Sequence, residues 1–207
     1  NVQKRTLPDP AQWVFHLDLW QNPYAVARYY NVPLWSRQHF DIMKPLMQQL
    51  ANAGQKVITA SVMHHPWAGQ TEDPFDSMVF RMKKIDGSWV YDYTVFDRWV
   101  EFMMSLGIDR QINCYTLVPW ALKFDYYDQA TNRIRFVEAK PGEAAYEDYW
   151  FSFLKDFAGH LRQKGWFEKT TIAMDERGKS MMQKAFDLIF RADAGYKVSG
   201  AGDYYPE

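Results

Sequence analysis

Asp175 and Glu176 are adjacent carboxylates at the end of an apolar run, Thr170-Thr171-Ile172-Ala173-Met174, and Arg177-Gly178 follows them. Two acids that reach one ligand can divide the work of acid-base chemistry, one delivering a proton while the other holds charge. Neighbouring strand residues point to opposite faces, so both acids reach one ligand only where the strand gives way to loop, as Arg177-Gly178 suggests. The pair also has an ordinary reading, because a helix beginning near Ser180 accepts acids ahead of its first turn. Holding a proton on Glu176 near neutrality calls for burial and for the neighbouring Asp175 charge, and Arg177 opposes both if it points inward.

Other apolar runs end in similar chemistry: Asp18-Leu19-Trp20, His65-Pro66-Trp67, Pro119-Trp120 and Asp203-Tyr204-Tyr205. Aromatic platforms with polar groups between them suit a sugar, whose C–H faces pack on rings while its hydroxyls take hydrogen bonds. Trp20, Trp67, Trp120, Tyr204 and Tyr205 are therefore the candidate sugar walls, with Asp18 and His65 as hydroxyl contacts. Any one of these rings could equally cap a hydrophobic core. Their recurrence at four strand ends, in a chain that is 17% aromatic, favours a ligand. A metal site has weaker support, since the side chains of His64 and His65 diverge on a strand, and His16 with Asp18 does not complete a recognisable ligand set. No Gly-x-Ser-x-Gly elbow occurs and Cys114 lies in mid-strand, so acyl transfer is poorly supported.

The elements that must position these residues alternate. Trp13–Trp20, Lys56–Met63, Gln111–Val118, Thr170–Met174 and Tyr196–Ala201 read as strands, apolar on nearly every position as strands buried on both faces are. Helices are predicted from the Ser36 cap to Ala53, over Thr94–Leu106, Ala145–Gln163 and Ser180–Ala192. Gly54, Gly107, Gly165 and Gly195 are placed to end them in the left-handed C-cap that glycine permits. Two hairpins interrupt the alternation, Met78–Tyr93 with its Asp86-Gly87 turn and Ala121–Ala139 around Asp128–Asn132. Alternation implies a parallel sheet, in an open doubly wound fold or a barrel. No glycine-rich phosphate loop follows the first strand and the long insertions follow strands, which favours an α/β fold of the (β/α)8 TIM-barrel type. On that reading residues 13–207 supply the first five units, strands six to eight lie in further polypeptide, and residues 1–12, with Pro8 and Pro10, are a linker.

Composition narrows the partner. The net charge of −1 and the lack of a sustained basic run argue against nucleic acid, whose phosphates need clustered Lys and Arg. A single cysteine excludes an intrachain disulfide. No apolar run approaches the ~20 residues of a membrane helix, and no cofactor motif appears. A neutral glycan or glycoconjugate is the expected partner.

Together, Phe15-His16-Leu17-Asp18-Leu19-Trp20-Gln21-Asn22-Pro23, His64-His65-Pro66-Trp67 and Ile172-Ala173-Met174-Asp175-Glu176-Arg177 resemble the catalytic domain of glycoside hydrolase family 123 along essentially the whole chain. The resemblance implies a bacterial β-N-acetylgalactosaminidase with a (β/α)8 catalytic domain, flanking β-sandwich regions and a periplasmic or extracellular location. It also implies substrate-assisted retention, in which the sugar's 2-acetamido oxygen attacks the anomeric carbon. Glu176 then protonates the leaving oxygen and deprotonates water, while Asp175 orients the acetamide and stabilises the oxazolinium-like intermediate. Two rivals stay open: a barrel that holds a glycan without cleaving it, and a retaining glycosidase whose nucleophile lies on a later strand.

Overall fold

The computed structural model of the chain describes residues 4–202. At its centre lies a four-stranded parallel sheet of β1 (Val57–Ser61), β4 (Gln111–Tyr115), β7 (Thr170–Met174) and β8 (Lys197–Gly200), in that order. Each strand lies beside its predecessor, and the crossings carry the helices α3 (Thr94–Ser105), α4 (Ala144–Gln163) and α5 (Lys179–Ala192). An open doubly wound sheet reverses its strand order at a switch point, and these strands do not. The fold is thus α/β with a parallel sheet.

The register aligns Thr59 with Asn113 and Asn113 with Thr171, so one face of the sheet carries Thr59, Ser61, Asn113, Thr171 and Ser199. The other carries Ile58, Ala60, Ile112, Cys114, Ile172 and Met174, all fully buried in the hydrophobic core with the rings of α3 and α4. Only this second face is apolar. The expectation of strands apolar on both faces fails at the threonines and Asn113, which find polar partners: Asn113 Oδ1 accepts from Thr171 Oγ1 at 2.6 Å and Gln111 Nε2 at 2.7 Å, and Thr59 Oγ1 accepts from Gln21 N.

The predicted first strand, Trp13–Trp20, is not a strand. It forms one parallel bridge, Leu17 to Gln55, and leaves Val14, Phe15, Leu19 and Trp20 exposed. Two buried amides replace the ladder. Gln55 accepts from Leu19 N at 2.9 Å and donates to Leu19 O at 3.1 Å, while Gln21 Oε1 accepts from Thr59 N at 2.8 Å. The chain runs beside β1 through side chains where backbone groups would otherwise pair.

A helix was not expected after it, yet α1 (Pro23–Tyr29) forms, with Pro23 in its first turn and Asn22 Oδ1 accepting from Ala25 N at 3.0 Å. Next, α2 (Arg37–Asn52) starts at Ser36, whose hydroxyl accepts from His39 N. Gly54, Gly107 and Gly165 take positive φ after α2, α3 and α4 as predicted. Gly195 does not: α5 ends at the extended Asp193, whose carboxylate accepts from Gly195 N at 2.9 Å.

Both hairpins form, β2 (Phe80–Lys83) with β3 (Trp89–Asp92) and β5 (Lys123–Asp128) with β6 (Arg133–Glu138). They join through a short parallel contact of β2 with β5 into a second sheet, ordered β3-β2-β5-β6. One face of this sheet lies on α4. Phe124 packs against Tyr146, Tyr149 and Trp150, and the buried Arg81 guanidinium sits 4.1 Å from the centre of the Phe153 ring. Much of the aromatic content thus goes into holding the insertions to the helix, away from any ligand.

Candidate active site

In a parallel sheet all carboxyl ends lie along one edge, and the candidate residues gather there. Asp175 and Glu176 leave β7 directly, with Asp175 half-buried and Glu176 exposed. The burial expected around Glu176 is absent among the described residues. Backbone and carboxylate lock together locally, since Asp175 Oδ1 accepts from Glu176 N at 2.9 Å. Asp175 Oδ2 accepts from the indole N–H of Trp120 at 2.8 Å. Trp120 is 41% exposed, five residues beyond β4, and its backbone N–H reaches Pro66 O. Arg177 turns toward the same ring, its guanidinium carbon 4.6 Å from the Trp120 centroid.

Tyr115, the last residue of β4, was not among the expected site residues, and it is central. Its ring centroid lies 4.9 Å from that of Trp20 and 5.3 Å from that of Trp67, which are themselves 5.4 Å apart. Burial, then the charges of Asp18 and Asp175, hold its hydroxyl protonated far above the usual tyrosine range. Tyr115 therefore keeps its proton near these two acids. Its position at a strand's carboxyl end was the signal available in the sequence.

Asp18 Oδ2 accepts from Asn113 Nδ2 at 3.0 Å, whereas its buried Oδ1 has no hydrogen-bond partner among the described residues. Burial raises the Asp18 pKa, against the opposing effects of His16 and the Asn113 bond. The indole N–H of the buried Trp67 is likewise without a partner. A polar ligand would satisfy this acceptor and donor, although Arg81, Trp89, Asp125 and Trp150 also carry buried polar atoms without partners among the described residues, in the hairpin sheet and α4. Trp20, 46% exposed, closes this group.

After β1 the two histidines separate in role. His64, which was not singled out as a sugar contact, bonds through Nδ1 to Asp76 Oδ1 at 2.9 Å, and that bond raises its pKa against the effect of burial. The Asp76 backbone carbonyl is gripped by Ser61 Oγ at 2.6 Å and by the Tyr24 hydroxyl, which fixes the loop that presents the carboxylate. His65 holds a left-handed φ of 60°, uncommon for a residue with a Cβ, and its N–H bonds to Phe75 O at 2.7 Å. Its ring lies 5.4 Å from that of His64. Among the described residues no group of three or more His, Cys, Asp or Glu is placed to hold a metal ion. Cys114 is buried, which pushes its thiol pKa far up.

The structure thus brings together Asp18, Trp20, Trp67, Trp120, Asp175 and Glu176 along one edge, with His65 at the same end of β1. Tyr204 and Tyr205 lie outside the described residues. Among the described residues no helix is long and apolar enough to cross a membrane.

The sequence profile of the glycoside hydrolase 123 catalytic domain matches residues 20–207. A solved structure of a family 123 glycoside hydrolase from Clostridium perfringens, described for glycolipid glycan hydrolysis, superposes with a TM-score of 0.92 at 32% sequence identity. The superposition covers 98% of this chain and 37% of that one, so the chain spans little more than a third of its relative's length. No curated protein matches. With the profile spanning nearly the whole chain and the fold superposing so closely, the chain belongs to glycoside hydrolase family 123, within its catalytic domain.

Proposed function

We propose that this chain is the front part of a (β/α)8 barrel that removes terminal β-linked N-acetylhexosamine, N-acetylgalactosamine above all, by substrate-assisted retention. The observation that carries the reading is the placement of Asp175 and Glu176. They stand at the carboxyl end of a parallel strand, beside an exposed indole, in a chain of a glycoside hydrolase family. Sequential winding of the four parallel strands suits a barrel, and its remaining strands then belong to further polypeptide.

In this reading Glu176 donates its proton to the glycosidic oxygen as that bond breaks, and takes one back from the water that opens the cyclic intermediate. Its exposure in the described part leaves it open to the leaving group, and the remaining strands supply its burial. The acetamide oxygen of the sugar forms the bond to the anomeric carbon, so no enzyme nucleophile is needed, and the carboxylate-separation rule for ordinary retaining enzymes does not apply. Asp175 accepts from the acetamide N–H and faces the positive charge that develops on the ring. Trp20, Trp67 and Trp120 offer walls to the sugar, with Asp18, His65 and the Tyr115 hydroxyl as polar contacts. The bare Asp18 Oδ1 and Trp67 Nε1 support this assignment. A glycolipid glycan of the kind named for the Clostridium perfringens relative is the proposed natural substrate class, met in the periplasm or outside the cell.

The test is release of an aryl group from an aryl β-N-acetylgalactosaminide by the full-length protein, with and without an N-acetyl thiazoline analogue of the cyclic intermediate. Hydrolysis that the analogue inhibits supports the proposal. Hydrolysis that it leaves untouched points to an enzyme nucleophile on a later strand, and no hydrolysis of galacto or gluco substrates points to a glycan-binding barrel.

A further inference from the structure

Arg177 is two residues from Asp175, yet among the described residues its guanidinium forms no ion pair with that carboxylate. The guanidinium instead lies over the Trp120 ring, 4.6 Å from its centroid, and directs Nη2 toward Met181 Sδ at 3.8 Å. The edge of the same indole donates its N–H to Asp175 Oδ2 at 2.8 Å. With Oδ1 accepting from Glu176 N, both carboxylate oxygens are held and the plane of the carboxylate is fixed.

We infer that Trp120 is a positioning residue for Asp175, and that it does this work together with Arg177 stacked on its face. The inference rests on the reading of Asp175 given above. An arginine bonded directly to the carboxylate would fix it too, but would neutralise it and take the lone pairs a substrate N–H needs. One neutral N–H orients the carboxylate without pairing its charge and leaves each oxygen room for a further donor. The cation remains close, held on the ring by attraction to its π face. Trp120 therefore keeps Arg177 off the carboxylate while orienting it. This differs from a sugar wall, which needs only the face of the ring.

Phenylalanine separates the two roles, because Trp120→Phe keeps an aromatic face and deletes the N–H. In the full-length protein, kcat and KM on an aryl β-N-acetylgalactosaminide are measured for Trp120→Phe, Asp175→Asn and the double variant, with thermal melts to establish folding. The inference predicts that Trp120→Phe lowers kcat about 10- to 100-fold, the range of one hydrogen bond to a charged group. KM stays within about twofold, and the loss disappears once Asp175 is Asn. Losses that multiply in the double variant, or a change confined to KM, overturn the inference and leave the role of Asp175 standing. An Asp175→Asn enzyme with near wild-type kcat overturns that role, and the inference with it. Should Phe at 120 prevent folding, Arg177→Gln carries the test: a several-fold loss in kcat that vanishes beside Asp175→Asn supports the inference, and one that multiplies overturns it.

Discussion

The two sheets of this molecule use the same kinds of residue for opposite ends. In the parallel sheet one face is polar, and at its carboxyl edge Asn113 donates to Asp18 and Trp120 to Asp175. In the hairpin sheet the rings and the single buried guanidinium point onto α4, where Trp89 meets Tyr126 and Tyr149, and Arg81 meets Tyr149, Trp150 and Phe153. Aromatic residues at one sheet cluster along its carboxyl edge, where Trp20 and Trp120 stay exposed, and in the other they fasten an insertion. An aromatic count therefore says little about binding until the register is known.

Breaking the fastening should cost stability and leave the edge chemistry intact. Phe153→Ala removes a fully buried ring that stacks on Phe157 and underlies Arg81, and it should destabilise by about 3–5 kcal/mol in denaturant titration. Gln55→Ala acts on the other sheet: it leaves the Leu19 N–H without its acceptor, while Gln21 still donates to Leu19 O, at about 1–3 kcal/mol. Because Leu19 lies between Asp18 and Trp20, this change should also raise KM, whereas Phe153→Ala should not. Equal effects of the two variants on KM would erase the distinction between the sheets.

A finer comparison is available at two helix ends. Gly54 and Gly107 have nearly the same φ, 88° and 90°, but an added Cβ at Gly54 would meet the Trp13 ring at 2.8 Å and one at Gly107 would meet nothing within 4 Å. Gly107→Ala should cost about 1–2 kcal/mol from backbone strain alone, and Gly54→Ala visibly more in the same thermal melt. The smallest expected effect is electrostatic. The pKa of His64 is raised above 6.5 by its bond to Asp76, so its contribution to stability is fully present below pH 6.5 and is lost as pH climbs through the raised value. An NMR titration of His64 should show a midpoint above 6.5 that drops in Asp76→Asn.

Much of this was legible in the sequence, and the failures share a cause. Thr170–Met174 was bounded correctly because a short apolar run between Gly165 and Asp175 leaves few alternatives, and the Asp86-Gly87 turn announced its hairpin. Trp13–Trp20 looked equally apolar, yet hydropathy does not reveal that Gln21 and Gln55 will take up the backbone groups of a ladder. The joining of the hairpins rests on two residue pairs far apart in the chain, Met82 with Tyr127 and Lys83 with Asp128, which no local pattern encodes. At the candidate site the strand-end rule singled out Trp67, Trp120 and the acid pair, which the structure places along one edge, whereas Asp18 and Trp20 reach that edge from a segment that is not a strand. The rule did not single out Tyr115, whose ring neighbours Trp20 and Trp67 come from distant segments.

The central claim is that Glu176 supplies the proton to the leaving group. Its most direct test is kcat/KM of wild type and Glu176→Gln across a series of aryl β-N-acetylgalactosaminides whose leaving phenols span several pKa units. An acid is needed most where the leaving group is poor. The account predicts a small deficit for the variant with a nitrated, acidic phenol and a deficit of orders of magnitude with a basic one. A deficit that is the same for every phenol, or no deficit at all, would contradict it.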